Sequence, residues 1–119
     1  SKVEKWYNRL YTHEPGTPKP SWFEKEKFSS DPTYQWLILI EHNYPDAKPY
    51  QGSAIFFHQR RVKNGSPRPT SGCTSMRPEN LQEILRWLDP KKGAEYVVLS
   101  RDDYQLLWKA WGLPAPDQL

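Results

Sequence analysis

The residue in this chain best suited to covalent chemistry is Cys73, the only cysteine among 119 residues. A cysteine attacks as its thiolate, so it needs a base or a positive surround to bring its pKa down from about 8.5. Gly72, immediately before it, frees the backbone for a tight turn and for close approach of a substrate. Thr70 and Ser71 add small polar groups. Backbone N–H groups converging in such a turn can hold an oxyanion, each good donor being worth roughly 3–4 kcal/mol in acyl transfer. Taken alone, the Gly-Cys step is equally what a buried, inert cysteine looks like.

His58 is the second candidate. It closes an apolar run fifteen positions before Cys73, where a loop that folds back can bring imidazole and thiol together for nucleophilic catalysis. A hydrogen-bonded structural histidine at a strand end is the plainer alternative, and His58 by itself leaves both open. A closed zinc site needs four ligands, and one cysteine with the scattered His13, His42 and His58 shows no ligand spacing. No metal and no organic cofactor is expected.

The elements that must position this pair can be read from pattern. Tyr34-Gln35-Trp36-Leu37-Ile38-Leu39-Ile40 is an apolar run between Asp31-Pro32 and Asn43-Tyr44-Pro45-Asp46, which predicts a buried strand. Gly52-Ser53-Ala54-Ile55-Phe56-Phe57-His58 predicts a second, with Ala54, Phe56 and His58 on one face. Residues 59–72 lack periodicity and read as a basic loop carrying Asn64-Gly65 and two prolines. After Cys73, Pro78 opens a helix on Leu81, Ile84, Leu85 and Leu88. Glu95–Leu99 reads as a third strand, and Ser100-Arg101-Asp102-Asp103 as a capping box opening a last helix. The stripe Leu107, Trp108 and Trp111 on that helix reads as core. Before residue 34 the pattern is irregular, with Trp22, Phe23 and Phe28 pinning a short helix or a loop.

The length suits one domain, residues 1–119, burying roughly 60–70% of its unfolded surface. Hydrophobic residues make up only 36%, so six tryptophans, seven tyrosines and four phenylalanines must supply much of the buried area. The formal charge of +3 suits anionic partners such as carboxylate-rich peptides, but basic residues are spread along the chain and no nucleic-acid partner is expected. No apolar run reaches 18 residues, hence no transmembrane segment is expected, and no signal peptide is visible.

Together, Gly52–His58, the loop to Pro69-Thr70-Ser71-Gly72-Cys73, and the helix ending Leu85-Arg86-Trp87-Leu88-Asp89-Pro90 resemble the L,D-transpeptidase catalytic (YkuD) family, in its divergent ErfK/YkuD-like branch. Tyr7-Asn8-Arg9 and Ile40-Glu41-His42-Asn43 are similar to that branch as well, so the likeness covers most of residues 7–90. The resemblance implies a mainly β fold, an L,D-transpeptidase-like sandwich with one helix after the cysteine and a C-terminal helix. It implies Cys73 as nucleophile, His58 as base, oxyanion donors from Gly72 and Cys73, and Thr70 and Ser71 lining the site. The implied substrate is a peptidoglycan stem tetrapeptide, cleaved through an acyl-enzyme and joined to an amine, with an L,D-carboxypeptidase or endopeptidase as one alternative and a non-catalytic wall-binding domain as another. The implied location is periplasmic or at the cell surface, with an export signal absent from this chain, and a monomer is expected.

The chain departs from the common Ser/Thr-His-Gly-Cys motif and its following arginine, having Ser71 and Ser75 at those places. The family's N-terminal strand segment is not seen either, which implies a chain that starts late or a trimmed sandwich. Arg68, with Arg60, Arg61 and Lys63, is either an anion-binding lid over a substrate carboxylate or a solvated basic loop. Tyr7, Asn8 and Asn43 are substrate contacts or structural hydrogen-bonding groups.

Overall fold

The computed structural model describes residues 4–119, which form two compact units, one ending at Leu88 and the other Asp89–Leu119. In the larger unit, the two apolar runs become strands β1 (Leu37–Leu39) and β2 (Phe56–Gln59). They pair antiparallel, Leu37 opposite His58 and Leu39 opposite Phe56. A strand that the sequence pattern does not signal, β5 (Thr74–Met76), lies parallel to β2 on its other side, with Phe57 opposite Thr74 and His58 opposite Ser75. β2 is therefore the centre of a three-stranded mixed sheet. It is also the most buried element, with Phe56, Phe57 and His58 all inside.

The expected basic loop is partly ordered. β3 (Val62–Lys63) and β4 (Ser66–Pro67) form a hairpin across Asn64-Gly65, the two turn residues at φ +53° and +76°. Asn-Gly tolerates those left-handed conformations, which the tight hairpin turn requires. The first element after Cys73 is the strand β5, and only then does the predicted helix follow, α2 (Pro78–Trp87), with Pro78 in its first turn. Leu81 is its fully buried residue. The amphipathic stripe ends where Leu88 leaves helical conformation.

Near the start of the chain, α1 (Phe23–Glu26) is a single turn held among rings. Trp22 meets Tyr11 edge-on at 5.2 Å and Phe23 tilts against His13 at 5.1 Å. Phe28 continues this aromatic layer onto the sheet, meeting Phe56 at 5.4 Å and Tyr34 at 5.1 Å. Aromatic area, rather than aliphatic, covers this face, as the composition requires.

In the smaller unit, α3 (Arg101–Leu107) begins at Ser100, whose Oγ accepts from the Asp103 N–H at 3.1 Å and donates to its carboxylate at 2.6 Å. The acid thus answers the serine hydroxyl where a full capping box would answer the serine N–H. The Tyr104 hydroxyl donates to the Pro114 carbonyl at 2.8 Å and folds the following turn back. Leu107 and Trp108 are half-buried while Trp111 is exposed.

Two expectations are corrected. Glu95–Leu99 carries no strand, because a β-branched run becomes a strand only where a partner edge is free to pair with it. The described residues are 25% helical and 12% strand, a mixed architecture in place of a mainly β one. The apolar runs are seven residues long in sequence but pair over only three or four, and flanking turns consume the rest.

A 3₁₀ turn, Pro32–Tyr34, lays Tyr34 on His58 with ring centroids 5.3 Å apart. Asp31 caps it by accepting from the Thr33 N–H at 2.9 Å, and also pairs with Arg61. Hydrogen bonding from Thr33, and then the neighbouring Arg61, holds the Asp31 carboxyl below its ordinary value of 3.8. A depressed carboxylate stabilises the fold above the unfolded-state value and loses that contribution as pH falls through the folded one. Acid titration of stability should therefore fall off below about pH 4, and Asp31→Asn should flatten that limb in urea melts taken from pH 6 to 2.5.

Candidate active site

Cys73 immediately precedes β5, and carrying the strand alternation back from Ser75 puts it on the face that Ser75 shares with its register partner His58. The thiol and the imidazole are thus diagonal neighbours, roughly 7–8 Å apart by backbone spacing, within reach of each other's side chains. In the structure they are not hydrogen-bonded to each other. The Cys73 thiol donates to the Ala54 carbonyl at 3.4 Å. His58 Nδ1 lies 2.7 Å from the carbonyl of Gln59. A carbonyl only accepts, so Nδ1 carries the proton and Nε2 is left as the basic nitrogen. His58 is 5% exposed and covered by Tyr34, whereas Cys73 is half-buried.

The approach to Cys73 is held by Thr70. Its hydroxyl donates to the Cys73 carbonyl at 2.6 Å and accepts from the Gly72 N–H at 3.3 Å. The Gly72 N–H, expected as an oxyanion donor, is therefore turned toward Thr70 in this state. Gly72 sits at φ +156°, a conformation L side chains rarely adopt, and a Cβ there would lie a tight 3.3 Å from Ile55 Cδ1. Ser71 is exposed beside it.

Ala54, whose carbonyl receives the thiol, is itself left-handed at φ +54°, an uncommon conformation for a residue with a Cβ. Asn8 holds it there. The Asn8 side-chain oxygen accepts from the Ala54 N–H at 2.9 Å, while its amide donates to the carbonyls of His42 at 3.0 Å and Asn43 at 2.6 Å. Asn43 in turn donates to the carbonyls of Lys48 and Gly52 and accepts from the Lys48 N–H, all at 2.9 Å. Both asparagines thus spend their amides on backbone groups, bracing the loop between β1 and β2. Tyr7 is half-buried next to Asn8.

Arg68 stands away from this cluster, across the hairpin from Arg61, whose carbonyl accepts its N–H at 2.8 Å. His42 Nε2 donates to the Gln51 carbonyl at 2.8 Å, and Gly52 leaves it room, since a Cβ there would come within 2.8 Å of that nitrogen.

Sequence reasoning missed Ala54, Gln59 and Tyr34. The first two act through backbone carbonyls, which every residue type carries, so no side-chain signal marks them. Tyr34 reads as strand in the sequence and acts only because a 3₁₀ turn intervenes.

A thiol and an imidazole on one face of a sheet, with a glycine just before the thiol, is an arrangement suited to acyl transfer through cysteine. The model of the L,D-transpeptidase catalytic domain (YkuD) matches residues 2–99, and the chain belongs to that family. Its members are cysteine-dependent L,D-transpeptidases, and Cys73 is the single cysteine here. No curated protein and no solved structure matches the chain. Among the described residues no helix is long and apolar enough to cross a membrane.

Asn8→Ala should cost about 1–3 kcal/mol in urea unfolding, because the Ala54 N–H loses its acceptor and two carbonyls lose a donor. Asn8→Asp, which keeps the acceptor alone, should recover part of that loss. Gly72→Ala should cost about 1–3 kcal/mol through strain at a glycine-only conformation, read by the same melts.

Proposed function

We propose that the chain is an L,D-transpeptidase acting on peptidoglycan stem tetrapeptides, with Cys73 as nucleophile and His58 as base. The observation that carries this reading is the register of β2 on β5, which sets His58 opposite Ser75 and so on the face of Cys73. The Gln59 carbonyl adds to it by fixing the imidazole tautomer with Nε2 basic.

The resting thiol points to the Ala54 carbonyl and not to the imidazole. Activation therefore begins with rotation of the Cys73 side chain away from Ala54 and toward His58. Nε2 takes the Sγ proton, and the thiolate attacks the carbonyl carbon of the L-to-D amide. The Cys73 N–H, and the Gly72 N–H once released from Thr70, hold the tetrahedral oxyanion. The C–N bond breaks, and the departing D-amino acid takes its proton from the imidazolium. The thioester then passes to an acceptor amine, whose proton goes to Nε2 as the C–S bond breaks. The work belongs to a peptidoglycan-facing location, periplasmic or at the cell surface.

The test is product mass after incubation with disaccharide-tetrapeptide. Wild type should give a cross-linked dimer lacking one D-amino acid, Cys73→Ala should give none, and His58→Ala should lose on the order of 10²–10⁴ in rate. A tripeptide alone would mean hydrolysis, the carboxypeptidase outcome. Equal product from Cys73→Ala would overturn the reading.

A further inference from the structure

A groove of about 540 Å³ lies between the turn at Asp31–Thr33 and the hairpin, with Gln59 and Arg60 at the end of β2 also lining it. Four of its lining side chains are cations, Arg60, Arg61, Lys63 and Arg68, against one carboxylate, Asp31. Asp31 is taken by Arg61, which also stacks on Tyr34 at 5.9 Å. Among the described residues, the side chains of Arg60, Lys63 and Arg68 make no ion pair and no hydrogen bond.

The hairpin register concentrates this charge. Lys63 is opposite Ser66, and the bond from the Arg68 N–H to the Arg61 carbonyl continues the pairing by one step. Arg61, Lys63 and Arg68 therefore share one face, with the two arginines directly across from each other. Like charges opposed across strands destabilise a hairpin unless an anion lies between them. Asp31 supplies one negative charge where this face has use for more.

The groove also has a defined place relative to the chemistry. Arg60 follows Gln59, the residue whose carbonyl orients His58, and its N–H continues the ladder to the Met76 carbonyl at 2.9 Å. Cys73 lies beside the Phe56 level of β2, so Arg60 is four residues further along, roughly 13 Å at the usual strand rise. That is the length of about four extended peptide residues.

We infer that this groove is a carboxylate subsite for the peptide substrate. Arg60, Lys63 and Arg68 would receive a free carboxylate of an acidic stem peptide, about 13 Å from the scissile carbonyl at Cys73. The inference rests on the reading of Cys73 as nucleophile for its distance, and on the groove's own charge for its ligand. The three cations act as specificity-determining residues: they select peptides whose side carboxylates are free over those in which they are amidated. Guanidinium and ammonium groups on an open hairpin suit this use, because a bidentate arginine contact discriminates a carboxylate from a neutral amide.

Binding separates this inference from the proposed chemistry. Cys73→Ala protein is titrated calorimetrically, at low and at physiological salt, with disaccharide-tetrapeptide bearing free side carboxylates and with the same molecule amidated at them. The free acid should bind about ten-fold more tightly at low salt, and Lys63→Gln/Arg68→Gln, with circular dichroism as a fold control, should remove the difference. Equal affinity for the two peptides, no binding of either, or a preference that survives in the double variant would each overturn the subsite. Binding of inorganic tripolyphosphate that the double variant loses, without discrimination between the peptides, would make it a phosphate site and overturn the carboxylate assignment. Selective binding to Cys73→Ala, with wild type giving no product from either peptide, would retain the subsite and remove the transpeptidase reading.

Discussion

The larger unit depends on the register of β2. This strand is short, buried over Phe56–His58 and paired on both edges, antiparallel to β1 and parallel to β5. A parallel neighbour needs a crossover, and here residues 60–73 provide it, carrying the hairpin on the way. Because side chains alternate strictly, a one-residue slip of β5 would move Ser75 and Cys73 to the face of Phe57. On the other face, Phe28 packs on Phe56 and Tyr34 on His58, which fixes β2 beneath them.

Polar groups complete what packing begins. Asn8 and Asn43 are both left-handed, at φ +51° and +53°, a conformation asparagine tolerates better than most residues. Asn8 joins segments 34 and more positions apart and Asn43 braces its own loop, both by bonding to backbone, and backbone groups in irregular loops have few other partners. The consequence reaches Ala54, whose strained carbonyl becomes the resting partner of the thiol. Loop bracing and nucleophile placement are thus one network, from Asn8 through Ala54 to Cys73.

Electrostatics divide along the same strand. At one end of β2 lie the thiol and neutral carbonyl acceptors. At the other lie Arg60 and the hairpin cations, with Asp31 and Arg61 bridging to the turn that covers His58. Glu24 forms a separate exposed cluster, where hydrogen bonds from Lys27 and then Lys19 lower its carboxyl to about 2, and this acid anchors the α1 turn locally. Arg60, Lys63 and Arg68 thus place a local excess of positive charge in the groove.

What the sequence by itself determined is the identity of local elements with their own start signals. The helix opened by Pro78 and the Ser100 cap of the last helix formed where their residues said they would, and the two apolar runs flanking the Asn43–Asp46 turn each yielded a strand, shorter than the run. The pairing of His58 with the Gly72-Cys73 step as candidates was legible too, because imidazole and thiol are rare residue types with few roles. Tertiary structure alone decided which runs found partners. Thr74–Met76, with no apolar pattern, became a strand because the free edge of β2 lay beside it, while the β-branched Glu95–Leu99 did not form one. It likewise decided that Ala54 and Gln59 matter, since they act through carbonyls common to every residue. Side-chain type is written in the sequence, but the meeting of two distant backbones is settled only when the sheet closes its hydrogen bonds.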